Sequence, residues 1–541
     1  MDHPVSFRRF GTMPDCSRNA VMTVDALKRW IDLTADLGYN CLLLYIEDTY
    51  EIEGEPYFGH LRGRYSEAEL RAIDDYAFEK GMEVIPCIQT LAHLNALFHW
   101  PEYRALRDCD DILLAGDARV YALIEKMFRT FRRCLRTNVI NVGMDEAHML
   151  GRGRYMDEHG AEDRFGILLR HLQRVDELAR QQDYHLIMWS DMFFRLASGG
   201  NYYREDTVIS DEIRQKIPEN VELIYWDYYS TSRTHYDRML AAHESLKPGT
   251  WFAGGLWTWE GFTPHNRFSI ESMGLALPAC LEAGTQNVFM TLWGDDGAEC
   301  SKFALLPALY YVAQLARGVS SPEEIRAGFE QKYGIPFDAF MLLDLPGTPN
   351  EAPGKVVNPD KYMFYCDCFM GQFDNMVSPT DAASYAACAE KLAAWTDHPK
   401  FGYLFRSQKA LCETLAIKYD LGMRTRTAYR AHDTAALSAL ILDYDELLRR
   451  IDTFYDAFRA LWLTDNKLFG FDVIDLRFGG VIQRVKHCRR RLAEHLAGTL
   501  PCIEELEQPV LAPGSTDFML QDGVHAICYN DWSRNATACV I

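Results

Sequence analysis

Over its first 320 residues the chain alternates short apolar runs with longer segments whose apolar residues recur at helical spacing. The short runs are rich in β-branched and aromatic residues, which is typical of parallel strands buried on both faces. We predict eight such strands: Ser6–Met13, Cys41–Ile46, Glu83–Ile88, Val139–Gly143, His185–Trp189, Glu222–Trp226, Trp251–Gly255 and Val288–Trp293.

The segments between these strands carry helix start and stop signals. Val24–Leu37 is followed directly by Gly38, and glycine is common just after a helix C-terminus. Ser66–Lys80 opens with SEAE, which predicts a capping box. Phe193–Pro218 is only weakly periodic and predicts a short or irregular helix. The remaining predicted helices in this half are Arg119–Leu135, Asp163–Gln181 and Ser269–Ala283.

Eight strands interleaved with helices predict an α/β fold, a (β/α)8 TIM barrel, over residues 1–320. The alternative is a doubly wound open sheet. That fold usually places a glycine-rich phosphate-binding loop after an early strand, and the sequence contains none.

Beyond residue 320 long helical patterns dominate, following a Pro-, Gly- and Asp-rich possible linker at Asp344–Asp360. We predict a helical domain at 321–500 and a C-terminal tail at 501–541 that adds short strands or lies along the surface. Leu468–Gly480 is punctuated by glycines, so it is either a loop reaching the barrel mouth or a second subunit, or simple helix packing. The predicted helices are Pro379–Trp395, Gly402–Tyr429, Thr434–Leu463 and Ile474–Leu496.

Composition narrows the class of function. With 56 basic and 77 acidic residues the net charge is -21, which disfavours nucleic acid and anionic membranes as partners. No apolar run is long enough to span a membrane, and the N-terminus lacks the apolar core of a signal peptide, so we expect a cytoplasmic location. The 15 scattered cysteines show no zinc spacing and are expected to be buried thiols. A homodimer is possible.

Polar and aromatic residues cluster just after the predicted strands, at the end of a barrel where active sites form. Carboxylates bind sugar hydroxyls and indole rings stack on pyranose faces, so this set indicates a carbohydrate site. A metal site built from a histidine and carboxylates is a weaker alternative, and we expect no cofactor. The residues in question are Asp15, Arg18, Glu47, Asp48, His93, Asp145, Glu146, Trp189, Asp191, Tyr225, Asp227, Trp257, Trp259, Trp293, Asp295 and Asp296.

The segment NVGMDE, Asn141–Glu146, resembles the H-x-G-x-D-E signature of the family 20 β-N-acetylhexosaminidases. Four further segments, covering with it roughly residues 6–320, resemble that family's motifs in the family's order. They are Gly11–Arg18, Tyr45–Asp48, Gln89–His93 and Leu292–Asp295.

This sequence departs from the family pattern at two positions. Asn141 stands where the signature has histidine, and Asp295 stands where the eighth strand usually has glutamate. The second change shortens a hydroxyl-binding arm and leaves open whether the sugar is GlcNAc or GalNAc. We expect a branch of the family that lacks the usual small N-terminal α+β domain and carries a C-terminal helical domain.

The resemblance implies exo-acting, substrate-assisted hydrolysis of an amino-sugar-containing oligosaccharide or glycoconjugate, with retention of configuration. Glu146 would be the general acid and base, and Asp145 would hold the substrate's acetamido N–H. Asp48 and His93 would support Glu146. The alternative for the Asp-Glu pair is a helix N-terminus or a solvated loop, and for His93 a buried structural histidine.

The resemblance also implies the residues that bind the sugar. Arg18 would bind ring hydroxyls 3 and 4, and Asp295 hydroxyls 4 and 6. Tyr225 would bind the acetamido oxygen with Asp227 on the same face, whereas Trp226 would point outward and pack. The candidate walls are Trp189, Trp259 and Trp293. Each has a structural alternative: a surface salt bridge for Arg18, barrel filling for Tyr225 and Asp227, and core packing for the tryptophans.

Two other functions stay open. One is a retaining β-glycosidase on the same barrel, with Glu260 or Asp295 as a conventional carboxylate nucleophile. The other is a non-catalytic carbohydrate-binding barrel, against which the intact Asp-Glu pair argues.

Overall fold

A computed structural model of the chain describes residues 5–348, 358–374, 377, 380–511, 520–521 and 524–525. The chain divides into two compact units, which we describe separately. The first consists of Met1–Leu256, Ser269–Leu292 and Leu309–Ser321, and the second of Trp257–Phe268, Trp293–Ala308 and Pro322–Ile541. Two segments that precede the predicted domain boundary at residue 320, Trp257–Phe268 and Trp293–Ala308, belong to the second unit. We keep that boundary as a proposal.

The first unit contains a closed parallel barrel whose strands follow chain order, with the last strand pairing with the first. The predicted TIM barrel is therefore confirmed, and each strand lies within a few residues of its predicted position. The strands are β1 Arg9–Pro14, β2 Cys41–Tyr45, β3 Glu83–Cys87, β4 Val139–Asn141, β5 His185–Trp189, β6 Val221–Trp226, β7 Trp251–Gly255 and β8 Asn287–Leu292.

Helices follow the strands, and their ends obey the capping signals in the sequence. The Ser66 side chain accepts from the Glu69 backbone while the Glu69 carboxylate accepts from the Ser66 backbone, so the predicted capping box is present. The helices of this half are α1 Val24–Asp36, α2 Glu67–Glu79, α3 Asn95–Phe98, α4 Ala118–Cys134, α5 Arg154–His159, α6 Arg164–Arg180, α7 Asp191–Ser198, α8 Asp211–Lys216, α9 Arg233–Leu246, α10 Asn266–Glu282 and α11 Leu306–Ala316. The weakly periodic stretch after β5 forms the short α7 and α8.

Contacts between aromatic rings on strands that are not neighbours show which side chains face the interior of the barrel. Trp189 on β5 and Phe289 on β8 have ring centroids 5.9 Å apart, which is possible only across the interior. Gly11 on β1 is in register with Phe289 and Cys41 and therefore faces inward too. A Cβ at Gly11 would lie 2.5 Å from the Cys41 sulfur, so only glycine fits at this close approach.

The second unit is predominantly helical, as predicted for the C-terminal half. Its core includes a cluster of phenylalanines, with Phe262, Phe364, Phe454 and Phe478 in mutual ring contact at 4.9 to 5.6 Å. The predicted helix at 402–429 is broken into two. The helices are α12 Pro322–Tyr333, α13 Phe337–Phe340, α14 Pro359–Tyr365, α15 Asp381–Ala393, α16 Gly402–Lys418, α17 Leu421–Arg430, α18 Thr434–Asp465, α19 Phe471–Leu496 and α20 Glu504–Glu507.

Two ambiguous segments of the C-terminal half belong to this unit. Most of Leu468–Gly480 is the start of α19, whose Phe471 and Phe478 are buried, so helix packing accounts for it. In the tail, Leu520–Gln521 and Val524–His525 form a short antiparallel pair. Residues 349–357 of the predicted linker and the rest of the tail beyond 511 lie outside the described residues.

The cysteines within the described residues are free thiols, and most of them are buried, as the sequence predicts. In the described part of the chain, no helix combines the length and apolar character needed to cross a membrane.

Candidate active site

A strained turn after β4 presents the predicted catalytic pair. Gly143, Met144 and Glu146 all have positive φ, at 71°, 68° and 50°. Non-glycine residues rarely adopt this left-handed conformation, and when they do it is often at functional sites. The turn leaves Asp145 buried, whereas the Glu146 side chain keeps 39% of its surface exposed.

Gln89, just beyond β3, binds both the side chain of Asp145 and the backbone of this turn. Its side-chain amide donates to the Tyr45 hydroxyl at 3.0 Å and to Asp145 Oδ1 at 2.9 Å. Its carbonyl oxygen accepts from the Met144 backbone at 3.3 Å. A Cβ at Gly143 would collide with this carboxamide, so the glycine of the signature is required here twice, for its φ and for the contact.

His93 pairs with Asp145. Its Nε2 lies 3.2 Å from Asp145 Oδ2 and 3.8 Å from Glu146 Oε2. Burial lowers the pKa of His93, but the Asp145 carboxylate, assisted by Glu146, outweighs burial and raises that pKa to about 10. Burial would raise the pKa of Asp145, but His93, Gln89 and Arg18 together hold it below its usual value. The pair is thus an imidazolium beside a carboxylate at neutral pH.

Glu146 has a separate set of partners. Its Oε1 accepts from Arg195 Nη2 at 3.3 Å, and its backbone N–H donates to Asp191 Oδ2 at 3.1 Å. Asp191 also accepts from Arg195 Nε at 2.9 Å, one turn along α7. Burial and the charge of Asp145 raise the pKa of Asp191 to about 7, against the opposing charge of Arg195. The adjacent carboxylates of Asp145 and Glu146 therefore occupy distinct environments.

Arg18 lies beside the same histidine. Its Nη2 is 3.5 Å from His93 Nδ1, its Nε is 3.4 Å from Glu47 Oε1, and its guanidinium lies 5.6 Å from the Tyr45 ring centroid. Its side chain is 23% exposed. This places the predicted sugar-binding arginine close to the predicted catalytic pair.

Asp48 is placed differently from its prediction. Among the described residues its carboxylate binds Arg62, at 2.9 and 3.0 Å, and forms no contact with His93. Arg62 in turn donates to the Ser17 carbonyl. The Asp48–Arg62 ion pair thus links the loops that follow β1 and β2. The carboxylates that lie within 4.0 Å of His93 are those of Asp145, Glu146 and Asp111.

The predicted facing of β6 is reversed. Trp226 is in register with Ala253, and Ala253 with the inward-facing Phe289, so Trp226 faces the barrel interior. Arg195 lies 5.9 Å from its ring centroid. Tyr225 instead stacks on His243 of α9 at 4.5 Å and faces the helices. A one-residue offset exchanges the two faces of a strand, which is the reason for the error.

Asp227 follows Tyr225 into the same structural network. Its Oδ2 accepts from the Tyr225 hydroxyl at 2.9 Å and lies 3.3 Å from His235 Nε2. Its Oδ1 accepts from the backbone N–H groups of Tyr229 and Ser230. Asp227 is buried, and these contacts place both side chains on the helix-facing side of β6, which is neither the predicted sugar site nor the barrel interior of the filling alternative.

Of the other predicted sugar-binding residues, Trp189 lies in the barrel interior of the first unit, 5.9 Å from the Phe289 ring. Trp259, Trp293 and Asp295 belong to the second unit, in segments that follow β7 and β8 along the chain. Trp259 stacks on Trp257 with ring centroids 4.2 Å apart. The Trp293 carbonyl accepts from the Thr258 hydroxyl at 2.6 Å. Asp295 is partly exposed and acts electrostatically on Glu260. Their roles stay predictions.

A buried ion cluster fixes the segment that carries Trp293 and Asp295. Glu299 accepts from Lys361 Nζ at 2.9 Å and from Arg477 Nη1 at 3.0 Å, and all three side chains are at most 1% exposed. A buried carboxylate needs such compensation, because an unpaired buried charge costs several kcal/mol, about 3–5 in proteins. Helices α14 and α19 thereby hold this segment of the second unit.

Sequence reasoning assigned no role to Gln89, Asp191 or Arg195. Gln89 was recognisable from alternation, since it lies two residues beyond the inward-facing Cys87. Asp191 and Arg195 are four residues apart at the start of a helix, a spacing that favours an ion pair. Neither signal says which other side chain such a group would contact.

Comparison with known proteins places these features in a family. Residues 6–230 match the model "Glycosyl hydrolase family 20, catalytic domain", and residues 338–519 match "Glycoside Hydrolase 20C C-terminal domain". The chain belongs to glycoside hydrolase family 20. The two matched ranges of this family 20 chain contain Asp145 and Glu146 in the first and Lys361 and Arg477 in the second.

Individual relatives of this family 20 chain are distant. It is 26% identical over 229 residues to Hexosaminidase D of Homo sapiens, covering 40% of this chain and 44% of that protein. With Hexosaminidase D of Bos taurus it shares 25% over 240 residues, covering 42% and 64%. The chain therefore spans less than two thirds of either relative. The β-N-acetylhexosaminidase structure from Bacteroides fragilis is 19% identical, with a TM-score of 0.46 over 61% of this chain and 70% of that one.

Proposed function

We propose that the protein is an exo-acting β-N-acetylhexosaminidase that removes terminal β-linked GlcNAc or GalNAc by substrate-assisted, retaining catalysis. The observation that carries this proposal is the different environment of two adjacent carboxylates. Asp145 is buried and held ionised by His93 and Gln89, whereas Glu146 is partly exposed and held by Arg195. The names of the curated relatives agree with this activity.

In the first step the carbonyl oxygen of the substrate's own acetamido group attacks the anomeric carbon as the glycosidic bond breaks. Glu146 gives its proton to the departing oxygen. Asp145 accepts a hydrogen bond from the acetamido N–H and stabilises the positive charge that develops on the oxazolinium ring. The buried ionised carboxylate suits this task because a low local dielectric strengthens its effect on a nearby cation.

In the second step Glu146, now a carboxylate, removes a proton from water. The water oxygen bonds to the anomeric carbon, the oxazolinium ring opens, and the acetamido group is regenerated with retained configuration. Arg195 Nη2 at 3.3 Å and His93 Nε2 at 3.8 Å hold the Glu146 carboxylate in position for this role.

Glu260 as a conventional carboxylate nucleophile has less support. Burial and the charge of Asp295 raise the pKa of Glu260 to about 8, against the opposing charge of Lys361. Glu260 is therefore protonated at neutral pH, and a protonated carboxyl is a poor nucleophile.

The test is a comparison of p-nitrophenyl β-GlcNAc with p-nitrophenyl β-glucoside, which lacks the acetamido group. We expect hydrolysis of the first, loss of about 10³-fold or more in kcat/KM for the second, and strong inhibition of the first by a thiazoline mimic of the oxazoline intermediate. Equal hydrolysis of both glycosides would refute substrate assistance, and the absence of any hydrolysis would refute the proposed activity.

A further inference from the structure

Basic side chains lie at the turn that follows Glu146. We call His148, Arg152 and Arg164 the basic patch. The Arg164 guanidinium donates through Nη2 to the carbonyl of His148 at 2.5 Å and to that of Ala147 at 3.3 Å. The His148 backbone N–H donates to the Glu146 carbonyl at 2.6 Å. Arg164 thus binds the backbone of the two residues that directly follow the proposed general acid.

Within the described residues, ion pairs do not compensate this patch. No ion pair joins His148, Arg152 or Arg164 to an acidic side chain in the part of the chain that the structure describes. Burial and the charge of Arg152 lower the pKa of Arg164, and no acidic group opposes them. Burial and the charge of Arg195 lower the pKa of His148, with His93 and Arg164 adding to this and Glu146 opposing it.

Neighbouring arginines provide the contrast. Arg154 binds Glu158 at 2.7 Å, and Arg170 binds Glu162 at 2.6 Å, both within 20 residues of the patch in sequence. The chain as a whole carries a net charge of -21, so acidic partners are abundant. His148 and Arg152 are nevertheless exposed and Arg164 is partly exposed. The positive charges of Arg152 and Arg164 are therefore available to a ligand.

We propose that the basic patch binds a negatively charged group on the aglycone, the part of the substrate that leaves after cleavage. This rests on the proposed function, in which Glu146 protonates the glycosidic oxygen and the aglycone lies beyond that oxygen. A carboxylate and a sulfate ester both accept hydrogen bonds from guanidinium groups, so a uronic acid and a sulfated sugar are two sources of the same chemistry.

Three disaccharides test this proposal: GlcNAc β-linked to galactose, to galactose carrying a sulfate ester, and to galacturonic acid. At low salt we expect kcat/KM for at least one anionic disaccharide to exceed that of the neutral one by about tenfold, an advantage that added salt reduces. The anionic disaccharide with the larger gain in kcat/KM identifies the chemical group, sulfate ester or carboxylate, that the patch binds. Equal values for all three would overturn the proposal.

In the double variant Arg152→Gln/Arg164→Gln, the ratio of kcat/KM for the anionic disaccharide to that for the neutral one should fall to about one. The matched control is Arg170→Gln, on the same helix as Arg164, which should keep the wild-type ratio. Because Arg164 also holds the turn, Arg152→Gln alone serves as the second variant and should lower the ratio about threefold. A ratio unchanged in both variants would overturn the proposal. If the wild type hydrolyses no GlcNAc glycoside, the proposed function itself fails, which is a distinguishable result.

Discussion

Glu146→Gln should lower kcat/KM on natural β-N-acetylhexosaminides by about 10²- to 10⁴-fold, the usual contribution of a general acid and base. Glutamine keeps the size of the side chain and can still accept from Arg195, but it cannot deliver a proton to the glycosidic oxygen. The loss should be smaller with a dinitrophenyl glycoside in the first step, because that leaving group departs without protonation. Steady-state kinetics on both substrates measure the difference.

The control for this variant is Glu158→Gln, which removes a carboxylate from an exposed ion pair with Arg154. We expect its activity to be unchanged within about twofold, because exposed pairs contribute little. Near-wild-type activity of Glu146→Gln on both the natural and the activated substrate would show that another group is the proton donor.

Asp145→Asn should lower kcat by about 10²- to 10³-fold, as the loss of a preorganised charge-stabilising group does in other enzymes. The loss should be equally large with the activated leaving group, because in the proposed mechanism Asp145 acts on the acetamido group and not on the departing oxygen. This separates the two carboxylates experimentally. The exposed Asp157→Asn is the matched control.

The same variant has a second readout in His93. The Asp145 carboxylate raises the pKa of His93 against the effect of burial, so its removal should bring that pKa down from about 10. Imidazole proton signals in an NMR titration would report this shift. An Asp145→Asn enzyme with full activity on the aryl glycoside, or with an unshifted His93, would contradict the assigned environment of the pair.

The barrel, and the place of the proposed catalytic pair after its fourth strand, could be predicted because they depend on local patterns. Runs such as Cys41–Tyr45 are apolar throughout, and the turn signature at Gly143 directly precedes the two acids. The strained φ values at Met144 and Glu146 have no local signal of their own, since neither residue is one that usually adopts them.

The errors arose where the answer depends on partners distant in sequence. Alternation along β6 fixes only that Tyr225 and Trp226 face opposite sides, and the register with β7 and β8 decides which one faces inward. Asp48 was expected beside His93, but Arg62, in the following loop, binds it instead. Likewise, the partners of Glu299 lie 62 and 178 residues away, and no spacing rule connects them.

The central claim is that the nucleophile belongs to the substrate, and a series of aryl glycosides with mono-, di- and trifluorinated acetamido groups tests it most directly. Each fluorine withdraws electrons from the carbonyl oxygen and weakens it as a nucleophile. Attack by that oxygen predicts that log kcat/KM falls steadily along the series, to a loss of about 10²-fold or more for the trifluoro compound. A rate independent of fluorination would contradict the account and indicate a nucleophile supplied by the protein.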